Sequence, residues 1–181
     1  MQAKEVRHVL FILFLALYMP GLQACGSSSS RNDWHATINM NCDRGMSISR
    51  LNSFHENEYE DRRWAYSCHA NSKALIRYNT GEENTHDGKL DFVCPRGGYI
   101  TRMYSNTYRT LYKDRTFKFT CSREKYWNPP HPKGNCYWTA WKNKYDGDLD
   151  FWVPTGYHLA GVESRHYNWA EDRIWKFYVC K

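Results

Sequence analysis

An eight-residue pattern returns three times along this chain. Asp61-Arg62-Arg63-Trp64-Ala65-Tyr66-Ser67-Cys68 is echoed by Asp114-Arg115-Thr116-Phe117-Lys118-Phe119-Thr120-Cys121 and by Asp172-Arg173-Ile174-Trp175-Lys176-Phe177-Tyr178-Val179-Cys180, at spacings of 53 and 58 residues. Upstream of each lies a second block with identical internal offsets: Gly45, Ile48, Leu51 and Ser53; Gly97, Ile100, Met103 and Ser105; Gly156, Leu159, Val162 and Ser164. A third block precedes that one, as Ile38-Asn39-Met40, Leu90-Asp91-Phe92 and Leu149-Asp150-Phe151, the last two opened by Asn84…Asp87-Gly88 and Asn143…Asp146-Gly147. The copies span about residues 32–83, 84–142 and 143–181. Units this short cannot bury an apolar face alone, so the three copies have to share one core.

Period-2 alternation assigns the faces. Arg62, Trp64, Tyr66 and Cys68 share one side of a strand, as do Arg115, Phe117, Phe119 and Cys121, and Arg173, Trp175, Phe177 and Val179; the residues between them are mostly polar. The Gly-x2-Ile and Leu-Asp-Phe segments read as two further strands per copy, with Asp-Gly as a turn, and Ala74–Tyr78 and Tyr137–Trp141 as fourth strands. No stretch carries a sustained 3.6-residue apolar period. The expected fold is all-β, three repeats in a pseudo-threefold arrangement, either β-prism-like or β-trefoil-like, with copy length favouring the prism.

The repeat also orders the cysteines. Six follow residue 25, an even number without metal-type spacing, which reads as three disulfides. In the first two copies one Cys lies three residues before the matched Gly (Cys42, Cys94) and another ends the Asp-Arg strand (Cys68, Cys121); in the third both slots are Val, at Val153 and Val179. Joint loss marks the two slots as bonded partners. Cys42–Cys68 and Cys94–Cys121 are therefore expected, with Cys136–Cys180 by elimination.

Lys4 and Arg7 precede an apolar run, Val9 to Tyr18, broken by Pro20 and Gly21, so residues 1–25 read as a signal peptide. Leu22-Gln23-Ala24-Cys25 followed by Gly26 also resembles a lipoprotein box, which makes lipid anchoring at Cys25 the lesser alternative to secretion. Residues 26–31 form a Ser-rich linker. Removing Lys4, Arg7 and Glu5 with the leader leaves 23 basic against 18 acidic residues. That balance suits anionic polysaccharide or cell surfaces but is too mixed in sign to point to nucleic acid. Mean hydropathy is −0.80, and nothing after the leader is apolar enough to span a bilayer.

The triplicated Asp-Arg-x-(Trp/Phe)-x-(Phe/Tyr)-x-Cys motif, with its upstream Gly-x2-Ile and Ser, resembles the dermatopontin family across residues 32–181. The third copy, Gly161-Val162-Glu163-Ser164 through Asp172 to Cys180, is nearest the pattern, whereas Phe117 replaces the motif Trp in the second, as in a divergent invertebrate-type member. The resemblance implies a secreted, non-enzymatic matrix or cell-adhesion protein whose partners are proteoglycan, glycosaminoglycan or collagen-associated. A lectin-like agglutinin or defence factor is the alternative it also allows. It further suggests sulfation of Tyr59, which lies in the acidic run Glu56-Asn57-Glu58-Tyr59-Glu60-Asp61.

Two kinds of site residue follow. Asp61, Arg62 and Trp64, Asp114, Arg115 and Phe117, and Asp172, Arg173 and Trp175 either cradle a sugar or sulfate at three equivalent places or, on the inward face, form buried ion pairs that fix register; the face assignment favours the pairs. The run Arg109, Lys113, Arg115, Lys118, Arg123 and Lys125 is either an anionic-glycan patch or a solvated edge guarded by charge. No local spacing among the histidines suits a metal, no cofactor motif is present, and no catalytic residue is assigned. A secreted hydrolase built on His166 with Glu163 or Glu171 is the remote reading.

Overall fold

A computed structural model of the chain describes residues 31–125 and 135–181. The stretch read as a signal peptide, almost all of the stretch read as a Ser-rich linker, and His131 lie outside the described residues. Among the described residues the alternation becomes eleven strands and one short 3-10 turn at Pro95–Gly97: β1 (Ile38–Asn41), β2 (Met46–Glu56), β3 (Asp61–Ala70), β4 (Ile76–Glu82), β5 (Leu90–Val93), β6 (Tyr99–Ser105), β7 (Lys118–Arg123), β8 (Cys136–Trp138), β9 (Leu149–Trp152), β10 (His158–Tyr167) and β11 (Asp172–Cys180). All described pairings between these strands are antiparallel. The strands form three sheets that do not close into a barrel, which removes the trefoil alternative: β3-β2-β9, β4-β7-β6-β1 and β8-β11-β10-β5.

Each sheet is built on one copy's hairpin and completed by a strand from another copy. The Leu-Asp-Phe strand β9 of the third copy pairs with β2 of the first, β1 of the first with β6 of the second, and β5 of the second with β10 of the third. The exchange runs in one direction and returns to its start. These three edge strands share the same alternation, so Ile38 and Met40, Leu90 and Phe92, and Leu149 and Phe151 point into the core while Asn39, Asp91 and Asp150 face out. On the first two sheets the outward residue meets an arginine of the receiving strand, Arg102 with Asn39 at 2.7 Å and Arg50 with Asp150 at 2.8 Å.

The hairpins carry two devices that recur in every copy. Gly45, Gly97 and Gly156 have φ of +77°, +63° and +78°, a left-handed conformation that a side chain disfavours, which accounts for the invariant spacing of that glycine. Farther along, the hairpin register slips between Ile48 and Arg50, Ile100 and Arg102, and Leu159 and Gly161. The bulged residue's carbonyl accepts the backbone N–H that follows the incoming edge strand: Ser49 from Val153, Thr101 from Cys42, and Ala160 from Cys94.

Those three acceptor contacts coincide with the staples. Cys42–Cys68 and Cys94–Cys121 each join the end of an edge strand to a hairpin in a different sheet, with Cα separations of 5.8 and 5.9 Å. Val153 and Val179 hold the corresponding slots of the third copy and both pack in the main core. Cys136–Cys180 bonds directly opposed residues of β8 and β11. Stacked Phe92 on Phe119 (4.5 Å) and Phe151 on Phe177 (4.3 Å) fill the same junctions from inside, and full burial of such a ring contributes about 1.5–3 kcal/mol.

Three details differ from the sequence reading. β4 starts two residues later than expected and joins the second copy's sheet, while β8 is confined to Cys136–Trp138 and joins the third copy's. In the second copy Asp114–Phe117 is not strand, because a longer hairpin loop, closed by the Arg109–Asp114 bridge, displaces pairing to Lys118.

Candidate functional site

The Asp-Arg motifs converge at the end of the sheets where the hairpins turn. Glu60, Lys113 and Glu171, each just before a motif Asp, have φ of 48°, 45° and 44°, so all three chains enter the strand through the same left-handed residue. That turn aims each Asp at another copy's Arg. Arg62 grips Asp172 with Nε and Nη2 at 2.6 Å each, Arg173 grips Asp114 at 2.7 and 2.6 Å, and Arg115 grips Asp61 at 2.8 and 2.7 Å. The three bidentate pairs make a closed ring through the copies, and each arginine is 4% exposed.

Each aspartate is held a third time, at 2.8 Å, by the backbone N–H of His35 (for Asp61), Asp87 (for Asp114) or Asp146 (for Asp172). Those donors also occupy left-handed turns. An asparagine at the start of every copy completes the clamp: the amide oxygens of Asn32, Asn84 and Asn143 accept the backbone N–H of Trp64, Phe117 and Trp175. Beneath the ring Trp175 meets Trp64 and Phe117 edge to face, at 5.1 and 5.2 Å.

The ring encloses a cavity of about 30 Å³ with Glu60, Lys113 and Glu171 at its mouth. That is the space of about one water molecule, too small for a pyranose. Arg115 Nη1, Arg173 Nη1 and Trp175 Nε1 are buried there without a hydrogen-bond partner. Tyr108 lies beside the ring, and burial, reinforced by Asp61, pushes its phenol up to about 12.

At the same end the hairpin loops expose large apolar side chains. Trp169 is 90% and Leu111 83% exposed, with Tyr112 and Tyr167 beside them. Tyr59 is half-buried and stacks on Trp34 at 4.7 Å, while its carbonyl accepts from His35 and Tyr108.

The basic run is dispersed. Arg115 is in the buried ring, Lys113 bonds Glu60 at 3.3 Å, and Lys118 sits 3.6 Å from Glu82. Arg109 belongs to the hairpin loop, whereas Arg123 ends β7 at its far end and Lys125 lies beyond it.

A denser cationic surface, which sequence reasoning missed, covers the outward face of the β8-β11-β10-β5 sheet. Glu163 is nearly buried there, 2.7 Å from Lys176, 3.1 Å from Arg165 and 3.5 Å from Lys89. Burial acts to raise its carboxyl, but the hydrogen bonds from Lys176 and Arg165 outweigh it and hold the group below the usual range. Lys176 lies over Trp138 and Trp141, Arg165 over Trp141, and a shallow groove runs on from Trp141 past Lys142 and Lys144. The outward alternation of Lys176 along β11 is the signal that pointed there.

Of the histidines, His55 and His166 share one repeat slot, and their side chains are 1% exposed. His166 Nε2 stands 3.8 Å from Glu171, whereas Glu163 faces the other side of the sheet. The hydrolase pairing with Glu163 is not formed. At the opposite end of the molecule His69 Nε2 contacts His158 Nδ1 and Ser47 Oγ at 2.9 and 3.0 Å, and burial lowers the pKa of His69.

The profile of the family described as Dermatopontin matches residues 32–181, the full span of the three copies. The chain belongs to the dermatopontin family. It is 37% identical over 150 residues to the "Hemagglutinin/amebocyte aggregation factor" of Limulus polyphemus, covering 83% of this chain and 86% of that protein. It is 32% identical to "Millepora cytotoxin-1" of Millepora dichotoma, over 84% of this chain and 66% of that protein. Dermatopontin of Biomphalaria glabrata is 28% identical over 77% of this chain and 91% of its own length. None of these names is that of an enzyme. No solved structure matches.

Proposed function

We propose that this chain is secreted and works outside the cell as an adhesion protein that binds anionic glycans of the matrix, such as glycosaminoglycan or proteoglycan chains. One observation carries the reading: the outward face around Trp141, where Arg165 and Lys176 lie over indole rings and Lys142 and Lys144 flank a groove. Sulfate and carboxylate groups pair with such cations while sugar faces stack on the rings. The Asp-Arg pairs, in this reading, are structural, since their cavity has no room for a sugar. Sulfation of Tyr59 and lipid anchoring at Cys25 add nothing that this surface requires.

A lectin-like agglutinin is the second reading. Exposed Trp169 favours it, together with the name of the Limulus relative. Binding of the purified protein to a glycan and glycosaminoglycan array at several salt concentrations separates the two. Salt-sensitive binding to sulfated chains, lost in Lys142→Ala with Arg165→Ala, supports the matrix reading; salt-resistant binding to a neutral sugar, lost in Trp169→Ala, replaces it with the lectin.

A further inference from the structure

Around the ring, the three junctions between copies differ. At the first, His55 Nδ1 lies 3.5 Å from Asp146 Oδ1 and 3.2 Å from Asn57 Oδ1, and its Nε2 faces Glu60 at 4.0 Å. At the second, His166 Nδ1 lies 3.6 Å from Asp87 Oδ1 and 3.4 Å from Asn168 Oδ1, and its Nε2 faces Glu171 at 3.8 Å. Ligand-type atoms of His55, Asp146 and Asp172, and of His166, Asp87 and Asp114, fall within 4.8 Å of one another. In both clusters the turn Asp and the ring Asp come from one copy and the His from another.

We propose that each of these two junctions binds a divalent transition-metal cation, zinc by donor chemistry, through the His Nδ1, the turn aspartate (Asp146 or Asp87) and the ring aspartate (Asp172 or Asp114).

Three observations converge on this. First, the separations of His Nδ1 from the turn Asp, 3.5 and 3.6 Å, match the about 3.4 Å between two ligands on a tetrahedral zinc with metal–ligand bonds of about 2.1 Å, and the ring Asp lies within 4.8 Å of both. The imidazole's other nitrogen then points at a carboxylate, the outer-shell partner that fixes the tautomer of a metal-bound histidine. Second, buried polar atoms are left over. His55 Nε2, His166 Nε2 and Asp87 Oδ1 have no hydrogen-bond partner, and among the described residues no Lys or Arg pairs with Asp87, Asp146 or Glu171. Third, the set is lost as a set. At the remaining junction the His slot is Thr107, the Asn slot Arg109, the Glu slot Lys113 and the turn-Asp slot His35, although the ring aspartate, Asp61, is kept. Thr107 turns instead to Thr116, and Lys113 reaches Glu60. Arg109 and Lys113 thus bring fixed positive charge to the junction that has lost the other ligands. A mixed imidazole and carboxylate donor set suits zinc better than calcium or magnesium, which favour all-oxygen shells.

Native mass spectrometry and calorimetric titration of the full, untagged chain, stripped with chelator and then given zinc chloride, test this directly. Two equivalents are expected, falling to one in Asp87→Asn or Asp146→Asn and to none in the double variant. Asparagine adopts the left-handed turn both positions require, so these variants keep the fold, with circular dichroism as the check. Zinc should also raise the melting temperature of the wild type but not of the double variant. No bound zinc, or two equivalents unaffected by these substitutions, overturns the proposal; a site filled by calcium in preference to zinc overturns the metal class. Glycan binding is a separate readout, so loss of the adhesion reading leaves this result untouched.

Discussion

The two ends of the molecule are closed by different chemistry. At the hairpin-turn end, three equivalent Arg-Asp pairs join the copies by charge, and each pair has its counterpart in the other two copies. At the open end, the closure is covalent at Cys42–Cys68, Cys94–Cys121 and Cys136–Cys180, and between these sits a contact that does not recur, His69 with His158 and Ser47, with Tyr99 against the His158 ring. The repeat specifies the first end almost completely; at the second, individual residues have taken over.

The largest expected effect comes from breaking the charged end. Arg173→Ala strands Asp114 in a site that is almost dry, which costs about 3–5 kcal/mol and lowers the melting temperature by about 10 °C in a domain of this size. Thermal unfolding followed by circular dichroism reads it; a shift of under 2 °C, within the range of an ordinary surface substitution, would mean that the ring is not what holds this end.

A smaller gain is expected from making the covalent end uniform. Val153→Cys with Val179→Cys adds a third such staple across the same 26-residue separation as Cys42–Cys68, worth up to about 3.5 kcal/mol on the chain-entropy estimate. Intact mass without reductant counts the bond, and a reductant-sensitive rise in melting temperature measures it. Free thiols at both positions would show that the two slots do not meet.

The smallest effect is a pH dependence confined to the open end. In the unfolded chain His69 takes up a proton near its ordinary pKa of 6.5, whereas burial delays protonation in the folded chain to lower pH. The unfolded state binds more protons in that interval, so stability falls as pH drops below about 6.5 and levels off once folded His69 is also charged. His69→Gln should flatten this part of the melting-temperature curve; an unchanged slope would assign it to other groups.

What was legible in the sequence follows the same division. Trp64, Phe117 and Trp175 declare an inward face by alternation, and the joint change to Val153 and Val179 reveals two disulfides, because each signal recurs at a fixed offset within one copy. Strand exchange was not legible: nothing in Leu149-Asp150-Phe151 says that its partner is β2, a hundred residues earlier, rather than its own hairpin. The clusters of His55 and His166 were hidden for the same reason. Their carboxylates come from the turn of another copy, so no local His spacing announces them. The cationic face around Trp141 also escaped, since Lys89, Arg165 and Lys176 come from three strands or their flanks and meet only when the sheet forms.

The direction of strand exchange has a consequence for synthesis. Chain growth delivers the β2–β3 hairpin first, yet the strand that completes its sheet, β9, belongs to the last copy. β1, by contrast, waits only for β6, and β5 only for β10. One edge of the earliest hairpin therefore stays open until nearly the whole polypeptide has emerged, and the circle can shut only from its C-terminal end. A truncation before residue 149 would strand the oldest part of the chain with an unpaired edge, ready to recruit the corresponding strand of a neighbouring molecule.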